Sequence, residues 1–109
     1  MRYPDEMKEA KFAIGQIIHH KQYGYRGVVA DVDAQFALDE DWYQEHTDAQ
    51  ASRSTPWYQI LVDGTRLTTY VAEESLEESE EIAEVDHPLI DKLFNTFDGT
   101  AYHQNRRLS

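Results

Sequence analysis

The chain contains no cysteine. Disulfides, thiolate metal sites and cysteine nucleophiles are therefore excluded, and nothing points to an oxidising compartment. No apolar run approaches the length that spans a bilayer, and the opening residues Met1-Arg2-Tyr3-Pro4-Asp5-Glu6 lack the apolar stretch of a signal peptide. A cytoplasmic protein with no membrane partner is the expectation. No internal repeat is visible. Gly24 and Gly27 flank Tyr25-Arg26 at a spacing that fits neither the dinucleotide fingerprint nor the phosphate loop, and no helix follows. Gly24 is read as making a turn, and Gly27 as permitting a bend or a close backbone approach. Ser54 and Thr55 have no histidine–carboxylate arrangement at a helpful spacing, so neither an enzyme nor a cofactor is expected.

What remains is enough for one domain. The 109 residues are 40% hydrophobic and 12% aromatic, a globular rather than disordered composition with a modest core. The formal charge of −11 argues against nucleic acid, since phosphate binding needs a basic surface. Its distribution changes that picture. Residues 39–48 carry five acids and no base, and residues 73–86 carry eight acids and no base. Taking those 13 charges from −11 leaves +2 for the rest of the chain. The acid sits in appendages.

Three segments have strand character: Tyr25 to Asp31, Pro56 to Asp63 and Thr69 to Leu76. A first strand is expected over 14–20. In the second, Val28, Ala30 and Val32 alternate with Asp31 and Asp33, the period of a half-buried strand. Tyr58, Ile60 and Val62 give the inward face of the next, and Asp63-Gly64 predicts a two-residue hairpin leading to a strand over 66–71. Between them, Leu38, Trp42, His46 and Ala49 recur at helical spacing within the connection 34–54. A binding or mobile loop carrying one or two helical turns is expected there. The acidic run is read as an irregular excursion with a short edge strand near Glu81-Ile82-Ala83. His87-Pro88 then opens an amphipathic helix through Leu89, Ile90, Leu93, Phe94 and Phe97, ended by Gly99. The expected architecture is mainly β: a small SH3-like β-barrel of about five antiparallel strands, with a long helical-turn insertion and a C-terminal helix. Residues 1–11 are a flexible N-terminal segment, 12–76 the barrel, and 77–109 an acidic linker, the helix and a basic tail ending Arg106-Arg107.

Candidate sites follow from chemistry. Lys21, Arg26, Arg53 and Arg66 supply local positive charge for DNA or another partner. Arg26 is open to stacking, phosphate contact or pairing with a nearby acid. Trp57, Tyr58 and Tyr70 suit a base-stacking platform, against which stands a plain core role, favoured for Tyr58 by its inward phase. Trp57 falls on the opposite face and is the better partner contact if exposed. His19-His20 cannot share an ion on a regular strand, because adjacent side chains diverge. His20 with Asp31 and Asp33 would need their strands to bring them together, and a polar outer face is the simpler reading; no metal is expected.

The order Phe12-Ala13-Ile14-Gly15-Gln16, His20, Tyr25-Arg26-Gly27-Val28-Val29 with Asp31 and Asp33, Pro56-Trp57-Tyr58, Leu61-Val62, and Tyr70-Val71-Ala72-Glu73-Glu74 with Leu76 closely resembles the HspQ, or YccV-like, family of heat-shock proteins. The family is also described as hemimethylated DNA-binding. His87-Pro88-Leu89-Ile90 and the phenylalanine-rich segment after it are similar to the tails of some members. Gln59 departs from the histidine of many relatives, and the long acidic stretch after Leu76 is not shared by all. The resemblance implies a cytoplasmic, non-enzymatic stress protein. It further implies hastened degradation of selected proteins, a replication initiator among them, by an ATP-dependent protease. Binding to hemimethylated duplex DNA and assembly into a homo-oligomer, a trimer being the expected form, also follow. On charge the protease adaptor is preferred and the DNA binder is the alternative.

Overall fold

The computed structural model describes residues 10–38, 40–46 and 53–104. Of the flexible segment expected at 1–11, residues 1–9 lie outside the described residues, as does the basic end of the tail at 105–109. The Lys11 amide, by contrast, is bonded to the Tyr58 hydroxyl (3.1 Å) and the Glu73 carboxylate (2.9 Å). Among the described residues, seven short strands and two helices follow in chain order: β1 (Ile17–His20), β2 (Arg26–Asp33), α1 (Glu40–His46), β3 (Trp57–Val62), β4 (Thr68–Ala72), β5 (Leu76–Glu78), α2 (Ile90–Leu93), β6 (Thr96–Phe97) and β7 (Tyr102–His103). Among the described residues no helix is long and apolar enough to cross a membrane.

The first five strands form one antiparallel sheet in the order β4-β3-β2-β1-β5. A single 3-10 turn, Glu73–Ser75, links the edge strands β4 and β5. Both faces of this sheet are buried, and the period-2 alternation assigns each residue to one of them. Ile18, Val29, Tyr58, Ile60 and Val71 pack on one face with Phe12 and Leu76. Ile17, Val28 and Leu61 pack on the other, against Val85, Phe94 and Tyr102 from the C-terminal segment. A bulge at Ala30 lies between the pairs Val29–Ile60 and Asp31–Gln59 and shifts the phase of β2. Gly27 sits opposite Val62, and a Cβ there would lie 2.6 Å from the Leu61 carbonyl oxygen, so the close backbone approach read from the sequence is real.

Several expected elements take a different form. The Asp63-Gly64 turn is not a two-residue hairpin. Only Gly64 has positive φ (76°), and Val62 N–H donates to the Leu67 carbonyl across four intervening residues (3.1 Å). A two-residue primed turn would need positive φ at its first central position, and Asp63 does not adopt it. The edge strand forms at Leu76–Glu78 rather than at 81–83. Leu76 inserts into the core while Ile82 stays 44% exposed, so burial selects the earlier segment.

The C-terminal helix is a single turn, Ile90–Leu93. Phe94 is already extended, and Asn95 N–H donates to the His103 carbonyl (2.8 Å) to open the β6–β7 hairpin. Gly99 (φ 100°) serves that hairpin, not a helix end. Beside it the Asp98 carboxylate accepts from the Thr100 and Ala101 amides. Phe94, Phe97 and Tyr102 therefore reach the sheet from a hairpin, although their spacing also suits a helix.

Candidate nucleic-acid interface

Antiparallel pairing collects the sequence-predicted cations at opposite ends of the sheet. The β1–β2 turn with Lys21, the first residue of β2, Arg26, and the β3–β4 turn with Arg66 lie at one end. Arg53 precedes β3 and lies with Trp57 at the other. The five candidates are thus not one site.

At the first end, Lys21 and Arg66 are exposed. Arg26 is not: its side chain is 12% exposed and fully engaged. The guanidinium donates to the Asp63 carboxylate (3.0 Å) and to the carbonyls of Ala83 (2.8 Å), Glu81 (3.1 Å) and Glu84 (3.3 Å), with the Glu81 carboxylate at 3.6 Å. Of the roles open to Arg26, pairing with a nearby acid is the one realised. Its planar fork fits this cluster of acceptors in a way an ammonium cannot.

The same bonds fasten the acidic segment to the sheet. Asp63 also accepts from Asp86 N–H (2.7 Å), Gly64 N–H donates to the Asp86 carbonyl (2.8 Å), and Val85 N–H donates to the Tyr102 hydroxyl (2.8 Å). His87 is buried; its Nδ1 accepts from Leu89 N–H (3.1 Å), so Nε2 carries the proton that bonds the Leu67 carbonyl (3.0 Å). The run 79–87 is thus a strap held on named partners.

Both turns at this end are rigid. In β1–β2, buried His20 turns its Nδ1 to the Gln22 (3.2 Å) and Tyr23 (3.1 Å) amides, and Gly24 takes φ 74°. The imidazole is neutral there, since an acceptor nitrogen carries no proton. Burial, and behind it the neighbouring His19, lowers its pKa. The β1–β2 register places His19 opposite Arg26, so Asp31 and Asp33 lie further along β2 and do not converge on His20. Among the described residues, no three His, Asp or Glu side chains come together as a metal site. In the β3–β4 turn, the Thr65 hydroxyl donates to the Val62 carbonyl and accepts from Leu67 N–H, both at 2.9 Å. Tyr25 bridges toward β4, its hydroxyl 2.7 Å from the Thr69 hydroxyl.

Tyr23 is the feature that sequence reasoning missed. It is the most exposed large hydrophobic residue described, at 79%, beside Lys21. Its ring lies 4.7 Å from the His20 ring at 32°, and His20 lies 5.1 Å from Tyr25 at 37°. The only available signal was an aromatic inside a Lys-Gln-Tyr-Gly turn, where no burial pattern explains it.

The other end is built differently. Trp57 is 1% exposed, so the exposure on which its contact role depended is not met. Its ring stacks on Tyr70 (5.3 Å, 27°), and Phe36, Trp42 and Tyr43 cover the pair from the long connection. Tyr70 is pinned through its hydroxyl, which donates to Asp33 (2.7 Å) and accepts from Ala37 N–H (3.2 Å). Desolvation, then the Asp33 bond, pushes that phenol well above its ordinary value. Arg53 rides on the Tyr43 ring (3.9 Å) and pairs with Glu40. The described parts of the loop thus close a small aromatic core. Tyr58, as its phase indicated, belongs to the main core.

A family model described as "Hemimethylated DNA-binding protein YccV like" matches residues 10–101. The chain belongs to the YccV-like family. That match spans the sheet, the covered aromatic end, the strap and the C-terminal segment through β6, and so extends well past Leu76.

Proposed function

We propose that this YccV-like protein is a non-enzymatic DNA-binding protein that prefers hemimethylated duplex DNA, contacted through the end of the sheet that carries Lys21 and Arg66. The observation that carries the reading is the family match over residues 10–101, whose description is hemimethylated DNA binding. The geometry supports it: two exposed cations project from rigid turns at one end, so little side-chain or loop ordering is left for binding to supply. With few phosphate contacts and a charge of −11, affinity is modest, and its salt dependence is shallow, about 0.9 in log–log slope for each phosphate contact. The strand order, with a 3-10 turn joining the two edge strands, favours reading the sheet as an SH3-like barrel. A gel-shift comparison of hemimethylated, fully methylated and unmethylated duplexes across a salt series tests the function. Tighter binding to the hemimethylated duplex is expected; equal and negligible binding to all three at low salt removes the reading.

A second reading has its own support. Glu80, Glu81, Glu84 and Asp86 are exposed on a strap fixed by backbone bonds, a surface suited to a basic partner. In this reading, whose partners and assembly come from the sequence resemblance, the protein is a cytoplasmic homo-oligomeric adaptor, a trimer being the expected form, that redirects an ATP-dependent protease to selected substrates such as a replication initiator. Purified protein should then accelerate turnover of some unstable substrates, and no change across a panel would count against it.

A further inference from the structure

We infer that Tyr23 is a stacking platform for a nucleobase that DNA presents outside the duplex stack, so that the protein favours DNA containing an unpaired or extruded base over an intact duplex of the same sequence. The inference rests on the DNA-binding reading and goes beyond it by naming a residue and a class of DNA structure.

An aromatic ring that is 79% exposed has no packing role on its outer side. Tyr23 is nevertheless held in place. Its inner side meets buried His20, which in turn meets Tyr25, and the Tyr23 amide donates to His20 Nδ1. Gly24 ends the turn with a conformation that other residues rarely adopt. A ring fixed in this way loses little freedom when a second ring is laid on it. The flanking chemistry fits a nucleotide: Lys21 lies two residues away, and Arg66 projects from the neighbouring turn at the same end of the sheet. Cations beside an exposed aromatic are how proteins hold a phosphate while its base stacks. Inside an intact duplex both faces of each base are already covered, so the ring can be used only where a base is unpaired, terminal or drawn out.

The test uses the full chain and duplexes that differ only by one bulged 2-aminopurine. Wild-type protein should bind the bulged duplex several-fold more tightly than the intact one and quench the probe. Tyr23→Ala should weaken bulge binding by about tenfold or more, the scale of one lost base–aromatic stack. The salt slope should not change, and Tyr23→Phe should retain most of the affinity. Lys21→Gln should instead reduce the salt slope. If wild-type protein binds DNA with a slope set by Lys21 and Arg66 but Tyr23→Ala behaves as wild type on the bulged duplex, the stacking inference falls and the DNA-binding reading stands. If wild-type protein binds neither duplex at low salt, both fall.

Discussion

His20 shows how one side chain can organise a surface feature. A strand-end histidine beside another histidine invites a metal reading, yet its acceptor nitrogen is taken by two backbone amides and its ring by two tyrosines. Because burial lowers its pKa below the ordinary 6.5, the unfolded chain takes up a proton at pH values where the folded protein refuses it. The stability contributed is complete above about pH 6.5 and is lost as pH falls toward the lowered folded value. Urea midpoints should therefore decline on the acid side. His20→Asn, which keeps an acceptor oxygen but cannot titrate, should lose that part of the decline; an unchanged acid limb in the variant would rule His20 out as its source. Gly15 carries a second residue-scale expectation. Its φ is 94°, and a Cβ there would collide with the Tyr102 carbonyl, whose residue donates its own amide to Gly15 (2.8 Å). Gly15→Ala should cost about 2–4 kcal/mol in denaturant unfolding, combining backbone strain with a displaced C-terminal hairpin.

The elements divide into those that local pattern determines and those that a distant partner determines. β3 and β4 were legible because alternation is a local property, and it placed Tyr58 and Trp57 on opposite faces. In β2 the same alternation put Val28, Ala30 and Val32 on one face, whereas the bulge leaves Val28 and Ala30 on one and carries Val32 to the other. The one-turn α2 and the β6–β7 hairpin were not legible. Phe94 and Phe97 satisfy a helical period as well as a hairpin, and the choice depends on Asn95 pairing with His103 and on an open sheet face beneath. The burial of Trp57 was equally hidden, since its cover comes from Phe36, Trp42 and Tyr43 across the long connection. The acidic run looked like solvated charge, but its backbone is tied down by Arg26 and Asp63, and its ends bury Glu73 and Val85.

Two predictions belong to these junctions. Arg26→Met removes the donors that serve Glu81, Ala83, Glu84 and Asp63, so stability should fall by roughly 2 kcal/mol or more. Hydrogen exchange should rise mainly across 79–87, and a uniform rise over the whole sheet would show that Arg26 does not act locally. Tyr58→Phe removes the hydroxyl that donates to Glu73 (2.6 Å) and accepts from Lys11 (3.1 Å) and Phe12 (3.3 Å). A loss of about 1–3 kcal/mol is expected from the buried carboxylate and the Phe12 amide left short of a partner, while the Lys11 amide keeps its bond to Glu73 (2.9 Å). Faster exchange at the Phe12 amide would locate it.

At the scale of the whole molecule, the DNA-binding reading raises the question of how a chain of charge −11 would meet a polyanion. The answer lies in position rather than sum. The sheet gathers Lys21 and Arg66 at one end and engages Arg26 within the strap, while Arg53 lies at the other end, paired with Glu40 above a packed aromatic cluster. A cation that meets a phosphate releases condensed counterions, and each such contact contributes about 0.9 to the slope of log affinity against log salt. Lys21→Ala and Arg66→Ala should each flatten that slope by up to about this amount, and together by up to about twice as much. Arg53→Ala should leave the slope where it was, although the same positive charge is removed from the molecule. A protein attracted to DNA by its overall charge alone would respond equally to all three substitutions. Equal responses would therefore dissolve the claim of a defined face, whereas a response confined to Lys21 and Arg66 ties binding to the end of the sheet where Tyr23 stands exposed.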